Sequence, residues 1–192
     1  MAETPSTMLP LGTPLPALRL PDVVSGRTVD VGAEAKGRKG VLVAFLCNHC
    51  PYVKHIRTAF VRLAHAAMDR GFAVLAVSSN DARAYPDDGP GPMRALAVGE
   101  AWRFPYLHDE SQEVARAYQA ACTPDFYVFG PDRRLVYRGQ LDSARPGNDV
   151  PVNGADLRAA LDATIAGRPV PPEQKPSMGC NIKWKPGQPP GA

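Results

Sequence analysis

The segment that most limits the fold of this chain runs from Val41 to Ser78. Val41-Leu42-Val43-Ala44-Phe45-Leu46 is a continuous apolar run that ends directly at a cysteine. Such a run, without alternation, suits a strand covered on both faces, as in a parallel sheet. From Pro51 the pattern changes. Val53, Ile56, Phe60, Leu63 and Ala67 recur at three- and four-residue steps, with Lys54, Arg57, Arg62 and Arg70 between them. That spacing predicts a helix with one apolar face. Proline is tolerated in the first helical turn, where its missing N–H had no partner, and Gly71 supplies the stop. Phe72–Ser78 reads as a second buried strand. Strand, helix and strand make a βαβ unit, which implies parallel pairing and a right-handed crossover.

The remaining elements arrange themselves around that unit. Leu15–Leu20 alternates like a short edge strand, Asp22–Arg27 reads as a turn, and Thr28–Val31 pairs back. Lys36–Gly40 is a solvated loop, and residues 85–92 are a second loop rich in proline and glycine. Pro92–Trp102 is compatible with a helix, and Ser111–Ala121 reads as another with Ser111 as its cap. Asp125–Phe129, the turn Gly130-Pro131-Asp132 and Leu135–Gly139 predict a hairpin. Asn153–Ala166 is the last helix, with Leu157, Leu161 and Ile165 on one face. The expected organisation is an irregular lead-in at 1–15, one α/β domain at 16–167, and a tail at 168–192. That tail has seven prolines in its 25 residues, so it is expected to be irregular. It also carries Cys180, Ile182 and Trp184, odd contents for a free end, which suggests docking near the other thiols.

Composition narrows the function. The 192 residues, 44% apolar and 21% charged, are one globular domain's worth. Twenty-two basic against 19 acidic side chains leave a net charge of +3, too balanced for nucleic acid or an anionic membrane as main partner. The longest apolar runs are six residues, Val41–Leu46 and Phe72–Val77, against the roughly 20 that span a bilayer. The first basic residue is Arg19, and Pro5, Pro10, Pro14 and Pro16 interrupt the N-terminal segment, so no signal peptide is read and a cytoplasmic location is expected. Four cysteines, Cys47, Cys50, Cys122 and Cys180, are too few for a disulfide scaffold. In a cytosolic chain a close pair points to redox or metal chemistry.

Cys47-Asn48-His49-Cys50 lies where the first buried strand hands over to the helix. Unpaired N–H groups and the helix dipole favour negative charge there, so a thiol loses its proton more readily. The expected arrangement has Cys47 at an exposed mouth as attacking thiolate and Cys50, a turn inside the helix, as the buried resolving thiol. A protonated His49 between them would further favour the Cys47 thiolate and make the pair more oxidising.

These residues carry a resemblance. The strand Val41–Leu46, the run Cys47-Asn48-His49-Cys50-Pro51-Tyr52-Val53, the crossover and Thr123-Pro124 before a hairpin resemble the thioredoxin-like superfamily. Cys122-Thr123-Pro124-Asp125-Phe126 and Gly179-Cys180-Asn181-Ile182-Lys183-Trp184-Lys185-Pro186-Gly187 resemble, more narrowly, its peroxiredoxin-like, AhpC/TSA-type redoxins. The likeness extends from about Pro16 to Gly187. It implies a central mixed sheet flanked by helices, a nucleophile at Cys47, a resolving thiol at Cys50 and a cis-proline at Pro124. It implies a thiol–disulfide oxidoreductase acting on protein or small-molecule disulfides, reset by a thiol donor and needing no organic cofactor. The sequence departs from the peroxidatic motif Pro-x-x-x-Thr-x-x-Cys: with Cys50 in the cysteine slot, Val43 replaces the proline and Cys47 the threonine.

Two further readings stand beside this one. Cys47, His49, Cys50 and Cys180 form a soft sulfur and nitrogen set suited to copper(I) or zinc. A thiol peroxidase is the other. Cys122 and Cys180 are candidates for exchange with Cys47, Cys122 because it lies two residues before Pro124. Its alternative is that of a small buried hydrophobe.

Overall fold

The computed structural model describes residues 3–187. Its centre is a five-stranded mixed sheet. β4 (Gly40–Phe45) pairs in parallel with β5 (Phe72–Ser78), and β5 pairs in parallel with β6 (Tyr106–His108). On its other edge β4 pairs antiparallel with β8 (Asp125–Phe129), which turns back into β9 (Leu135–Gly139), giving the order β6-β5-β4-β8-β9. Every residue of β4 and β5 is buried, which is why their sequences do not alternate.

The strand period sorts that apolar run into two cores. Leu42, Ala44 and Leu46 face a cluster with Val53, Phe60 and Ala64 of helix α2 (Pro51–Asp69) and Leu157 and Leu161 of helix α5 (Ala155–Ile165). Val41, Val43 and Phe45 face the opposite layer, with Tyr118, Tyr127 and Phe129. There Phe45, Tyr118 and Tyr127 meet edge to face, with centroids 5.5–5.8 Å apart. Helix α3 (Pro90–Gly99) lies in the long β5–β6 connection. The architecture is the α/β, thioredoxin-like sheet that the motifs imply, with an N-terminal β extension formed by the pair β2 (Arg19–Pro21) and β3 (Thr28–Asp30).

Several local expectations are corrected. Neither end of the chain is wholly irregular. β1 (Glu3–Pro5) in the lead-in and β10 (Met178–Asn181) in the tail pair with each other, and β10 also pairs with β7 (Cys122–Thr123). The prolines flank β10 and leave its own N–H groups free, so proline density misleads about that stretch. Strand β2 starts at Arg19, not Leu15. A short helix α1 (Val31–Glu34), capped by Asp30 through its bond from Ala33 N–H, follows β3 unforeseen. The helix expected over 111–121 is only α4 (Glu113–Ala117); its cap is Gln112, at φ 64°, not Ser111.

Candidate functional site

The site forms where β4 ends and α2 begins. Pro51 occupies the first helical position, which its fixed φ suits, and this makes Cys50 the N-cap. Cys50 is therefore not a turn inside the helix, and Cys47 stands three residues ahead of the cap. The exposed mouth expected at Cys47 is absent: Cys47 is 1% and Cys50 0% exposed. The reason is the sheet formed by the two chain ends, which brings Thr123 and Cys180 onto the sulfurs.

Thr123 touches both members of the pair. Its Oγ1 lies 3.3 Å from Cys47 Sγ, and its carbonyl oxygen 3.3 Å from Cys50 Sγ. The bond to Pro124 is cis. Cys180, opposite Thr123 in the β10–β7 register, places its Sγ 3.0 Å from Cys50 Sγ. Cys50 thus has one thiol neighbour on its own loop and a second on the C-terminal strand. All four cysteines are free and buried.

The electrostatics set the three thiols apart. Cys50 is lowered to about 5, first by the thiol of Cys47, against burial, and then by Cys180 and the Val53 N–H. The helix N-terminus adds to this stabilisation, whereas the Thr123 carbonyl works against it. Cys47 is pushed up, first as the partner of Cys50, then by burial and by the charge of Asp88. Cys180 is pushed up to about 12, by burial first and then by Cys50. Of the three sulfurs, Cys50 is the one whose ionisation is favoured, while Cys47 and Cys180 are held toward the protonated form.

His49 does not turn toward the thiolate as a free cation. Its Nδ1 lies 2.5 Å from Asp88 Oδ2, and its ring stacks on Tyr85 with centroids 5.1 Å apart. Asp88 is fully buried and accepts from the backbone N–H groups of Asn48 and His49 at 2.8 and 3.2 Å and from Asn80 Nδ2 at 2.7 Å. The loop between the cysteines is thus held by a carboxylate, whose charge opposes ionisation of Cys47. His49 Nε2 is buried without a hydrogen-bond partner among the described residues.

The copper or zinc set is not assembled. Among the described residues the group whose ligand atoms all lie within 4.8 Å of one another is Cys47, His49 and Asp88. Cys50 and Cys180 are outside it. Four donors already occupy the lone-pair positions of Asp88, so this carboxylate is a hydrogen-bonding hub with no free ligand face. Cys122 Sγ lies 3.8 Å from the Pro124 carbonyl, and its pKa is pushed far up, by burial first and then by Asp125, Cys50 and Cys180. That is the behaviour of a small buried hydrophobe.

Sequence reasoning missed Asp88, Asn80, Tyr85 and the Thr123 side chain. Asp88 sits on a single 3-10 turn, Pro86–Asp88, within a proline- and glycine-rich loop. One of two adjacent acidic residues, Asp87 and Asp88, has the same sequence appearance as a solvated one. Tyr106, whose hydroxyl donates to Asn48 Oδ1 at 3.2 Å, was missed as well.

Comparison with known proteins bears on the family and the fold. Residues 11–138 match the model of the AhpC/TSA family. No curated protein matches the sequence. A crystal structure of an uncharacterized conserved protein from Geobacillus kaustophilus is 51% identical over 97% of this chain and 98% of that one, with a TM-score of 0.94. A hypothetical protein from Sinorhizobium meliloti 1021 is 46% identical over 96% of this chain and 100% of that one, with a TM-score of 0.92. The thioredoxin domain of a thiol-disulfide oxidoreductase from Bacteroides vulgatus is 19% identical over 82% of this chain and 99% of that one; its TM-score of 0.61 marks a shared fold.

Proposed function

The chain belongs to the AhpC/TSA family of thioredoxin-like redox proteins, and on that premise we propose that it is a thiol–disulfide oxidoreductase whose reacting pair is Cys47 and Cys50. Cys50, not Cys47, is the attacking sulfur in this reading. The observation that carries it is the placement of Cys50 at the N-cap of α2 with its pKa lowered to about 5, first by the neighbouring Cys47 thiol. A thiolate there is available throughout the neutral range, whereas a merely structural buried cysteine behaves like Cys122.

The steps follow from the contacts. The Cys50 thiolate attacks one sulfur of a disulfide, forming a mixed disulfide and releasing the other half as a thiolate. Cys50 then no longer carries charge, so the main influence holding the proton on Cys47 is gone. Cys47 gives up that proton, and His49, whose ring lies in the same cluster and whose Nε2 has no hydrogen-bond partner among the described residues, is the acceptor that fits. The Cys47 thiolate attacks Cys50 Sγ, closes the Cys47–Cys50 disulfide and expels the reduced substrate. Two electrons have moved from the pair to the substrate, and a thiol donor restores them. The test is turnover of a model disulfide by wild type, Cys47→Ser and Cys50→Ser. Loss in Cys50→Ser, with a mixed disulfide on Cys50 trapped once both neighbouring thiols are removed in Cys47→Ser, Cys180→Ser, is expected; undiminished turnover in Cys50→Ser overturns the assignment.

Closure of the site favours a second reading, in which the oxidant is a peroxide. Sulfurs that are 1% and 0% exposed are reached more easily by a two-oxygen oxidant than by a protein disulfide. The Cys50 thiolate would attack the O–O bond and become a sulfenic acid, which Cys47 condenses to the same disulfide with loss of water. Direct peroxide consumption by the reduced protein distinguishes this reading from the first.

A further inference from the structure

We propose that Cys180 is a second resolving thiol, and that the disulfide on Cys50 passes from Cys47 to Cys180 on the C-terminal strand. This rests on the reading that Cys47 and Cys50 form the reacting pair, and it extends that pair to a relay of three sulfurs with Cys50 at the pivot.

The geometry is specific. Cys50 Sγ lies 3.0 Å from Cys180 Sγ, closer than two sulfurs in simple packing contact, across 130 positions of sequence. The approach is built by the backbone. Cys180 stands opposite Thr123 in the β10–β7 pairing and opposite Glu3 in the β1–β10 pairing, so strands on both sides fix its position. Thr123 in turn touches both Cys47 and Cys50. Gly179, just before Cys180, lets β10 press against β7 where any side chain would collide with the Thr123 carbonyl. Strand β10 lies beyond the residues matched by the family model, which end at 138, so this third sulfur comes from a part of the chain the family match does not include.

The exchange balances without any outside oxidant. Starting from the Cys47–Cys50 disulfide, Cys180 loses its proton and attacks Cys50 Sγ. The Cys47–Cys50 bond breaks, the Cys50–Cys180 bond forms, and Cys47 leaves as a thiolate that takes up one proton. Burial is the first influence that holds the proton on Cys180; Lys183, three residues on, acts in the opposite direction and favours its anionic form. The net result frees Cys47 beside His49 and Asp88, while the oxidised pair joins the helix N-terminus to the terminal sheet. A thiol donor can then reduce the protein at Cys180 rather than at Cys47.

The experiment takes the reduced wild-type protein to one disulfide per chain with a stoichiometric amount of diamide. The sample is incubated without oxygen, quenched with acid and alkylated, and the linked peptides are identified by mass spectrometry. A mixture is expected in which some molecules carry the Cys50–Cys180 link with Cys47 alkylated. Molecules that all carry Cys47–Cys50 with Cys180 alkylated overturn the relay and leave the parent reading intact. The same oxidation of Cys47→Ser is expected to give the Cys50–Cys180 link in most molecules. A variant that leaves Cys180 alkylated also overturns the relay. Absence of a Cys47–Cys50 link from wild type, with Cys50–Cys180 present, instead counts against the parent pair alone.

Discussion

A β-carbon placed on Gly179 would stand 2.0 Å from the carbonyl oxygen of Thr123, so strand β10 lies against β7 at a distance only glycine allows. Backbone cannot swing aside as a long side chain can. Gly179→Ala is expected to push β10 outward, at a cost of about 1–3 kcal/mol typical of an overpacked site. The displacement also carries Cys180 away from Cys50. Thermal unfolding should register the lower stability. Diamide oxidation of a Gly179→Ala, Cys47→Ser protein should yield less Cys50–Cys180 link than Cys47→Ser alone. An unchanged melting temperature would show that the strand has room to move.

Asp88 holds the loop between the cysteines and also charges it. The Cys47 pKa is raised by Cys50 first and by burial second, and the Asp88 carboxylate adds to both. Asp88→Asn removes that charge and keeps the shape. The pH at which Cys47 becomes alkylated is expected to fall. Stability is expected to drop by about 1–3 kcal/mol, because an amide cannot accept from His49 Nδ1, Asn80 Nδ2 and two backbone N–H groups at once. Alkylation of Cys47 followed by mass across pH reads the first effect, and urea unfolding the second. A rise in the Cys47 midpoint would contradict the electrostatic assignment.

The βαβ unit was legible because its information is local. Two apolar runs and a 3.6-residue pattern between Val53 and Ala67 need no partner to be recognised. The hairpin at Asp125–Gly139 was legible for the same reason. What escaped depends on contacts between distant segments. Strand β10 exists because β1 and β7 flank it, and three or four residues of weak propensity say nothing of that in advance. At the site, the cysteine spacing marked sulfurs that the fold brings close together, but not their burial. The proline at the first helical position makes Cys50 the cap, so Cys50 does not lie a turn inside the helix as expected. The charge that opposes Cys47 comes from Asp88, 41 positions further on, which no local pattern connects to it.

Asp125 supplies a pH dependence of stability. It is fully buried, and burial raises its pKa from 3.8 to about 6, against the bonds from Tyr127, Ser6 and Ser177. A carboxyl whose folded pKa lies above its unfolded value binds a proton more tightly when folded. Its contribution is therefore fully present below about pH 4, is lost as pH rises toward 6, and is constant beyond that. The difference of about two pKa units corresponds to about 3 kcal/mol. Wild type should lose stability relative to Asp125→Asn between pH 4 and 6, as measured by urea unfolding at each pH. A difference that stays flat across that window, or grows in the opposite direction, refutes the assignment.

The low pKa of Cys50 has two candidate sources, and one substitution separates them. The helix N-terminus acts on Cys50 whatever its neighbours are, and its influence falls off within one turn. The Cys47 thiol acts by direct hydrogen bonding and is the leading cause of the shift to about 5, with Cys180 contributing less than burial takes away. Cys47→Ala removes the thiol and keeps the helix. If the thiol dominates, the midpoint for Cys50 alkylation climbs markedly from about 5, and Cys180→Ala raises it by less. If the helix dominates, neither substitution moves it. The ultraviolet absorbance of the thiolate, followed against pH in wild type and both variants, gives the order directly. A midpoint near 5 that survives Cys47→Ala would leave Cys50 as attacking sulfur but transfer the credit for its ionisation from Cys47 to the first turn of α2.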